Sequence, residues 1–323
     1  MMRPLSCLFA ALALASSVAT AQTFPQQTVR LVSPYAPGGT GFVAGQALAE
    51  RLTQLWGKPV VLDSKPGAGG VIGATFVAKS AADGYTLLLI DNGPIAVAPH
   101  TGQVTMTFDP LKDLAPVAEV IQLGPVIAVR NGLGINNVND LLNAIRTRKP
   151  NLSNAVSAVG GYGQVATAAL AKTAGGSLLD ITYNGAAPAL IDFAAERVDV
   201  MLVALNVIAP QESTNKFKII ATTTESRIDL RPEIPTVKES LPSFAISAWF
   251  GIFAPAGTPD AVLTKISRDI NTVINEAGFE EFRKKQLMLK AKTSSRTEFA
   301  AKVKSDYETW ARLARESNIA AQK

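Results

Sequence analysis

Few side chains in this sequence could do chemistry. His100 is the only histidine, so a Ser-His-Asp or Cys-His system would have to use it. It sits in Ala98-Pro99-His100, and no Gly-x-Ser-x-Gly nucleophile turn occurs in the chain. That context reads as a surface or capping residue. Cys7 is the only cysteine, which rules out an internal disulfide and a cysteine cluster for a metal. No His/Cys cluster or EF-hand loop is present. Gly67-Ala68-Gly69-Gly70-Val71-Ile72 approaches a dinucleotide loop, but Ile72 stands where the third glycine belongs. Gly57-Lys58 is followed by Pro59, so no Walker A loop forms. Asp192 and Asp199 are candidates for an acid and base pair, yet Asp199 lies in a strand pattern and nothing in the spacing joins them. Catalysis is disfavoured, no cofactor is expected, and binding becomes the leading class.

The features suited to binding are two glycine loops, Pro37-Gly38-Gly39 and Gly160-Gly161-Tyr162-Gly163. Each follows a β-branched or apolar run and precedes a helical pattern. At such a junction the helix start presents free N–H groups and partial positive charge, which suits an anion. The plainer reading is a tight strand-to-helix turn. Both readings stand for either loop, and two loops in matching context suggest two similar lobes with a cleft between them.

The elements that must position these loops follow a strand, loop, helix rhythm. Strands are expected at 28–33, 59–62, 86–90, 154–158, 180–183, 198–205 and 217–223, with apolar extended stretches at 117–129 and 244–254. Helices are expected at 42–56, 71–80, 138–146, 164–173, 187–195, 261–276, 279–286 and 296–315. The first of these carries Ala44, Leu48, Leu52 and Leu55 at helical spacing and stops at Gly57. Alternating strands and helices imply an α/β fold with mainly parallel sheets flanked by helices. In such sheets ligands bind beyond the carboxyl ends of the strands.

Length and composition agree. The chain has 323 residues, 47% of them hydrophobic and 18% charged, with a net charge of +5. That is enough for two lobes with substantial cores. Basic residues cluster only at 146–149 and 283–285, which read as solvated helix faces, so no nucleic-acid partner is expected. The first residues read as a signal peptide. Arg3 is followed by an apolar run from Leu5 to Val18 and by Ala19-Thr20-Ala21, predicting cleavage after Ala21. Cys7 would leave with it. The mature protein is expected to be soluble and periplasmic.

Several segments, taken in order, resemble the tripartite tricarboxylate transporter substrate receptors, also called the Bug family. They are Pro34-Tyr35-Ala36-Pro37-Gly38-Gly39, Lys65-Pro66-Gly67-Ala68-Gly69-Gly70, Ala82-Asp83-Gly84-Tyr85-Thr86-Leu87 and Asp109-Pro110-Leu111-Lys112-Asp113-Leu114. Tyr183-Asn184-Gly185-Ala186-Ala187-Pro188, Ile234-Pro235-Thr236-Val237 and Trp249-Phe250-Gly251-Ile252-Phe253-Ala254-Pro255-Ala256-Gly257-Thr258-Pro259 follow. The likeness spans nearly the whole mature chain. It implies a two-lobe periplasmic binding protein of type II-like form. The signal peptide would be 1–21, lobe 1 would combine 22–124 with 244–323, and lobe 2 would be 125–243.

The resemblance also implies a function: capture of a small organic acid and delivery to membrane permease subunits. The sequence gives no oligomeric state, and a monomer is the default expectation. The alternatives are a sensor docking onto a signalling membrane protein and a secreted hydrolase using His100. Carried over residue by residue, one grip on the ligand is Tyr35, Gly38, Gly39, Thr40, Gly41 and Phe42. The other is Ser157, Val159, Gly160, Gly161 and Tyr162. Asn92 and Gly93, in the loop that starts at Asp91, and Tyr183, Asn184, Gly185 and Ala186 would complete the walls. Asp192 either orients the Tyr183 loop or is a solvated helix residue. The chain departs from the family at Phe42, where an aspartate is usual, at Gln46 in place of arginine, at Val159 in place of glycine and at Val165 in place of histidine. Phe42 brings an aromatic ring and removes a negative charge, which points to a more apolar acid such as an aromatic carboxylate.

Overall fold

The computed structural model describes residues 24–183, 185–246, 248–292 and 295–319. The expected signal peptide and cleavage site lie outside the described residues. In chain order the elements are β1 (Val29–Ser33), α1 (Thr40–Trp56), β2 (Val60–Ser64), α2 (Val71–Ala78), β3 (Thr86–Asp91), a π-helical turn (Gly93–Val97), α3 (Ala98–Thr101), β4 (Leu114–Leu123), β5 (Pro125–Arg130) and α4 (Val138–Thr147). There follow β6 (Ser153–Val156), α5 (Tyr162–Thr173), β7 (Leu179–Thr182), α6 (Ala186–Ala194), β8 (Val200–Ala204), α7 (Leu205–Ile208), β9 (Phe217–Thr222), β10 (Ala248–Pro255), α8 (Asp260–Ile274), α9 (Ala277–Lys285), β11 (Leu289–Lys290) and α10 (Arg296–Glu316).

The local reasons are visible in the sequence. α1 buries Ala44, Leu48 and Leu52 along one face. It ends where Gly57 takes a left-handed conformation and donates its N–H to the Thr53 carbonyl. β3 buries Leu87, Leu88, Leu89 and Ile90 in succession, because this strand is covered on both faces. One sheet has the order β11-β4-β10-β3-β1-β2 and the other β7-β6-β8-β5-β9. This is the expected two-lobe α/β architecture.

The sheets are mixed rather than mainly parallel. β1 pairs parallel with β2 and β3, while β10 runs antiparallel to β3 and β4. In the second sheet β6 pairs parallel with β7 and β8, while β5 runs antiparallel to β8 and β9. The reversal has a topological cause. β5 and β10 are the strands that enter each sheet from the other one, so neither is delivered by a βαβ crossover, the connection that enforces a parallel neighbour.

The single residue between β4 and β5 is Gly124. A Cβ there would lie 2.5 Å from Ile228 Cδ1, so glycine lets the chain pass close under that side chain. α10 packs against both sheets' cores. Phe299 and Val303 join Trp249 and Phe253 in the first, and Trp310 and Ala314 join the core of the second. Among the described residues no helix is long and apolar enough to cross a membrane.

Candidate functional site

The first glycine loop leaves the carboxyl end of β1. Gly38 has φ +87°, a conformation costly for any other residue, and turns the chain into α1. Gly39 caps that helix with extended backbone and no side-chain hydrogen bond, so no local side chain takes up the N–H groups of the first turn. The rings behind the turn explain Gly41. A Cβ there would stand 2.4 Å from Tyr35 and 2.6 Å from Phe250. Those rings meet edge to face with centroids 5.3 Å apart. The Tyr35 hydroxyl accepts the Asp91 N–H at 2.9 Å, tying this loop to the end of β3. Thr40 and Phe42 are partly exposed on the first turn of α1.

The second glycine loop leaves β6 in the same way. Gly160 has φ +69° and Gly161 caps α5 without a side-chain hydrogen bond. Here polar contacts do the holding. Gly160 donates its N–H to Gln164 Oε1 at 2.8 Å. Gln164 Nε2 donates to Asp180, which also accepts from Asn154 Nδ2, and Asn154 Nδ2 reaches Thr167 Oγ1. Ser157 accepts the Gly185 N–H on its carbonyl at 3.0 Å, joining this loop to the turn before α6. Val159 is exposed on the loop. Tyr183 donates its hydroxyl to Asp192 at 3.0 Å, and Asp192 also pairs with Arg197 at 2.7 Å. Asn184 lies outside the described residues. Gly185 has φ +116° and Ala186 begins α6.

The two loops meet across a seam. Asn206, in the turn of α7 after β8, donates to Thr40 Oγ1 at 2.8 Å. Gly160 abuts Thr101, whose Oγ1 would lie 2.7 Å from a Cβ at that position. Tyr162, the first residue of α5, packs against the apolar cores of both sheets. Sequence reading missed Asn206, since an asparagine in an apolar run carries no signal of its partner. Asp91 stands at the same seam, with Asn92 fully buried behind it. Its Oδ1 accepts the Gly93 N–H at 3.0 Å. Burial raises its carboxyl to about 6, against the opposing pull of the Gly93 N–H and the Tyr35 hydroxyl. Tyr162 is held well above the usual phenol range, first by burial and then by the Asp91 charge.

The chain and its fold have known counterparts. A model of the tripartite tricarboxylate transporter family receptor matches residues 43–319. The chain belongs to that family. Among curated relatives, a protein from the tcbD-tcbE intergenic region of Pseudomonas sp. (strain P51) is 31% identical over 94% of this chain and 91% of its own. BugT of Bordetella pertussis is 29% identical over 85% of this chain and 84% of its own. Among solved structures, an R. palustris protein with adipate superposes with a TM-score of 0.84 at 28% identity, covering 92% of this chain and 99% of its own. The periplasmic binding protein BugD superposes with a TM-score of 0.79 at 29% identity, covering 93% and 100%.

Three other residues singled out in the sequence have surroundings of their own. His100 lies edge-on to Tyr307 at 4.3 Å, on the contact between α3 and α10, and burial lowers its pKa. Asp199 accepts from Arg130 Nε at 2.6 Å and from the Ser153 N–H and hydroxyl. It therefore fastens β5 to β6 and stands apart from Asp192, which holds Tyr183. Val165 is fully buried, in an apolar cluster that includes Ala96 and Val97 as well as second-lobe residues.

Proposed function

We propose that this receptor is exported, cleaved after Ala21, and works as a periplasmic monomer that closes its lobes, 22–124 with 244–323 and 125–243, on a small organic acid. It then delivers that acid to the permease subunits of a tripartite tricarboxylate transporter. The observation that carries the reading is the placement of the two uncapped helix starts. Thr40, first in α1, is bonded to Asn206 of the other lobe, and Tyr162, first in α5, packs against both cores. Two sets of free N–H groups thus open on one seam, and a carboxylate there completes both. The adipate bound by the R. palustris relative supports an acid as ligand. Phe42, partly exposed on the first turn of α1, favours an acid with an aromatic or apolar body.

Native mass spectrometry of the protein purified from its own periplasm should show a co-purifying small carboxylic acid. Thermal shifts with acid panels should be larger for aromatic monocarboxylates than for small aliphatic diacids. Equal or larger shifts with the aliphatic diacids would remove the aromatic preference. No shift with any acid would remove the carboxylate reading.

A further inference from the structure

Asp91 is an unusual residue for a seam that accepts anions. It ends β3, which lies beside β1 in the sheet, so its carboxylate stands next to the loop that starts α1. Across the sheet it is in register with Phe250 of β10. The π-helical turn that follows it, Gly93–Val97, contributes only apolar side chains and the Gly93 N–H. Two titratable groups act on Asp91 from the elements around it, Tyr35 on its own lobe and Tyr162 from the other. No lysine or arginine among the described residues contributes to its electrostatics.

Among the described residues the Asp91 carboxylate accepts the Gly93 N–H at 3.0 Å, and the nearby Tyr35 hydroxyl pulls its pKa down. An ionised carboxylate offers about four lone-pair sites. Lone-pair sites are left over, on a residue that keeps some solvent exposure and whose charge acts on Tyr162 of the other lobe. A carboxylate with no cationic side chain acting on it favours a donor or a cation and disfavours a second anion.

We propose that Asp91 is a specificity-determining residue of the cleft. It selects acids whose far end donates a hydrogen bond or carries an ammonium, and it discriminates against dicarboxylates. The inference rests on the carboxylate-binding reading above and goes beyond it by assigning the chemistry of the ligand's other end. The burial that holds the Asp91 carboxyl near 6 also predicts that a diacid is tolerated better once that carboxyl is protonated. The plain alternative is that Asp91 serves only to fold the turn onto Gly93. Asparagine preserves that turn and removes the charge, so Asp91→Asn separates the two.

The test is calorimetric titration of the full mature protein and its Asp91→Asn variant with two series of matched length. The first is adipate, ε-aminocaproate, ε-hydroxycaproate and caproate. The second is terephthalate, para-aminomethylbenzoate, para-hydroxybenzoate and benzoate. At neutral pH the wild type should bind the amino or hydroxy member of at least one series about tenfold or more tighter than its diacid. Asp91→Asn should abolish or invert that ratio while changing caproate or benzoate affinity little. Wild-type affinity for the diacid should rise relative to the variant's on going to about pH 5, the variant correcting for the diacid's own titration. A wild type that prefers the diacid at neutral pH overturns the inference, and this measurement needs no variant. An unchanged ratio in Asp91→Asn also overturns it and leaves Asp91 as a turn-former, with carboxylate binding intact. Failure of every acid to bind either protein overturns the carboxylate reading and this inference together.

Discussion

The two glycine loops do the same local job by different means. The loop before α1 is held by packing: Tyr35 and Phe250 close over Gly41 with no room for a Cβ. The loop before α5 is held by hydrogen bonds running from Gly160 through Gln164 and Asp180 to Asn154 and Thr167. Rings packed at van der Waals contact tolerate almost no change of volume. A polar network tolerates changes of volume but not the loss of a partner. The difference teaches that an open helix start is specified by what stands behind it, and that this support need not be shared between lobes related by pattern.

The largest expected effect probes the packed loop. Gly41→Ala would gain up to about 1 kcal/mol from helix propensity alone. Its new Cβ would stand 2.4 Å from Tyr35, so the cost of overpacking outweighs that gain. The net change should be a loss of about 1–3 kcal/mol, read by denaturant unfolding. A gain in stability would break the comparison. Gln164→Ala probes the polar loop. It leaves the buried Gly160 N–H without its acceptor and should cost about 1–2 kcal/mol. The same substitution should weaken acid binding, since Gly160 sets the path into α5, and calorimetry would show an unaltered affinity if the network were incidental.

Asp91 sharpens the comparison through pH, because the packed loop is hydrogen-bonded through Tyr35 to a residue whose carboxyl has a raised pKa. The native state keeps that proton up to about 6, whereas the unfolded chain releases it near the ordinary carboxylate value of 3.8. Protons bound in excess by the native state mean that this group's contribution to stability falls as pH rises from about 4 to about 6. Asp91→Asn removes that loss. The variant should therefore be more stable than wild type at neutral pH by about 1–2 kcal/mol, with the gap closing at about pH 4. Melting temperatures measured in parallel across that range check the sign, since other carboxyls contribute alike to both proteins. The smallest effect is expected from Asn206→Ala, which removes one neutral hydrogen bond between the lobes. About 1 kcal/mol, or roughly fivefold in ligand affinity, is the expected loss, with little change in the unfolding of either lobe.

Much of the architecture is legible in the sequence because it depends on near neighbours. Apolar spacing marks α1, α5 and α8, and Gly57 marks where α1 stops. The glycine loops sit at strand-to-helix junctions, as their flanking patterns require. Strand direction is not legible this way. β5 and β10 read as apolar extended runs whichever way they enter a sheet, and the mixed pairing follows only from the passage between lobes. The π-helical turn at Gly93–Val97 is also illegible, since its short apolar run with Pro94 suits a loop or a strand end equally well.

The sequence by itself determined the family, the alternation of strands and helices, and the two glycine turns. It holds one histidine and one cysteine. Each of these is a property of residue type or short spacing. Only the tertiary structure decided what stands in the seam. Thr40 and Asn206 are 166 positions apart, and Tyr35 and Asp91 are 56 apart. α10 starts on one core and ends on the other. A carboxylate acquires a raised pKa, and Thr40 at a helix start meets Asn206, only when burial and proximity are supplied by segments distant in the chain.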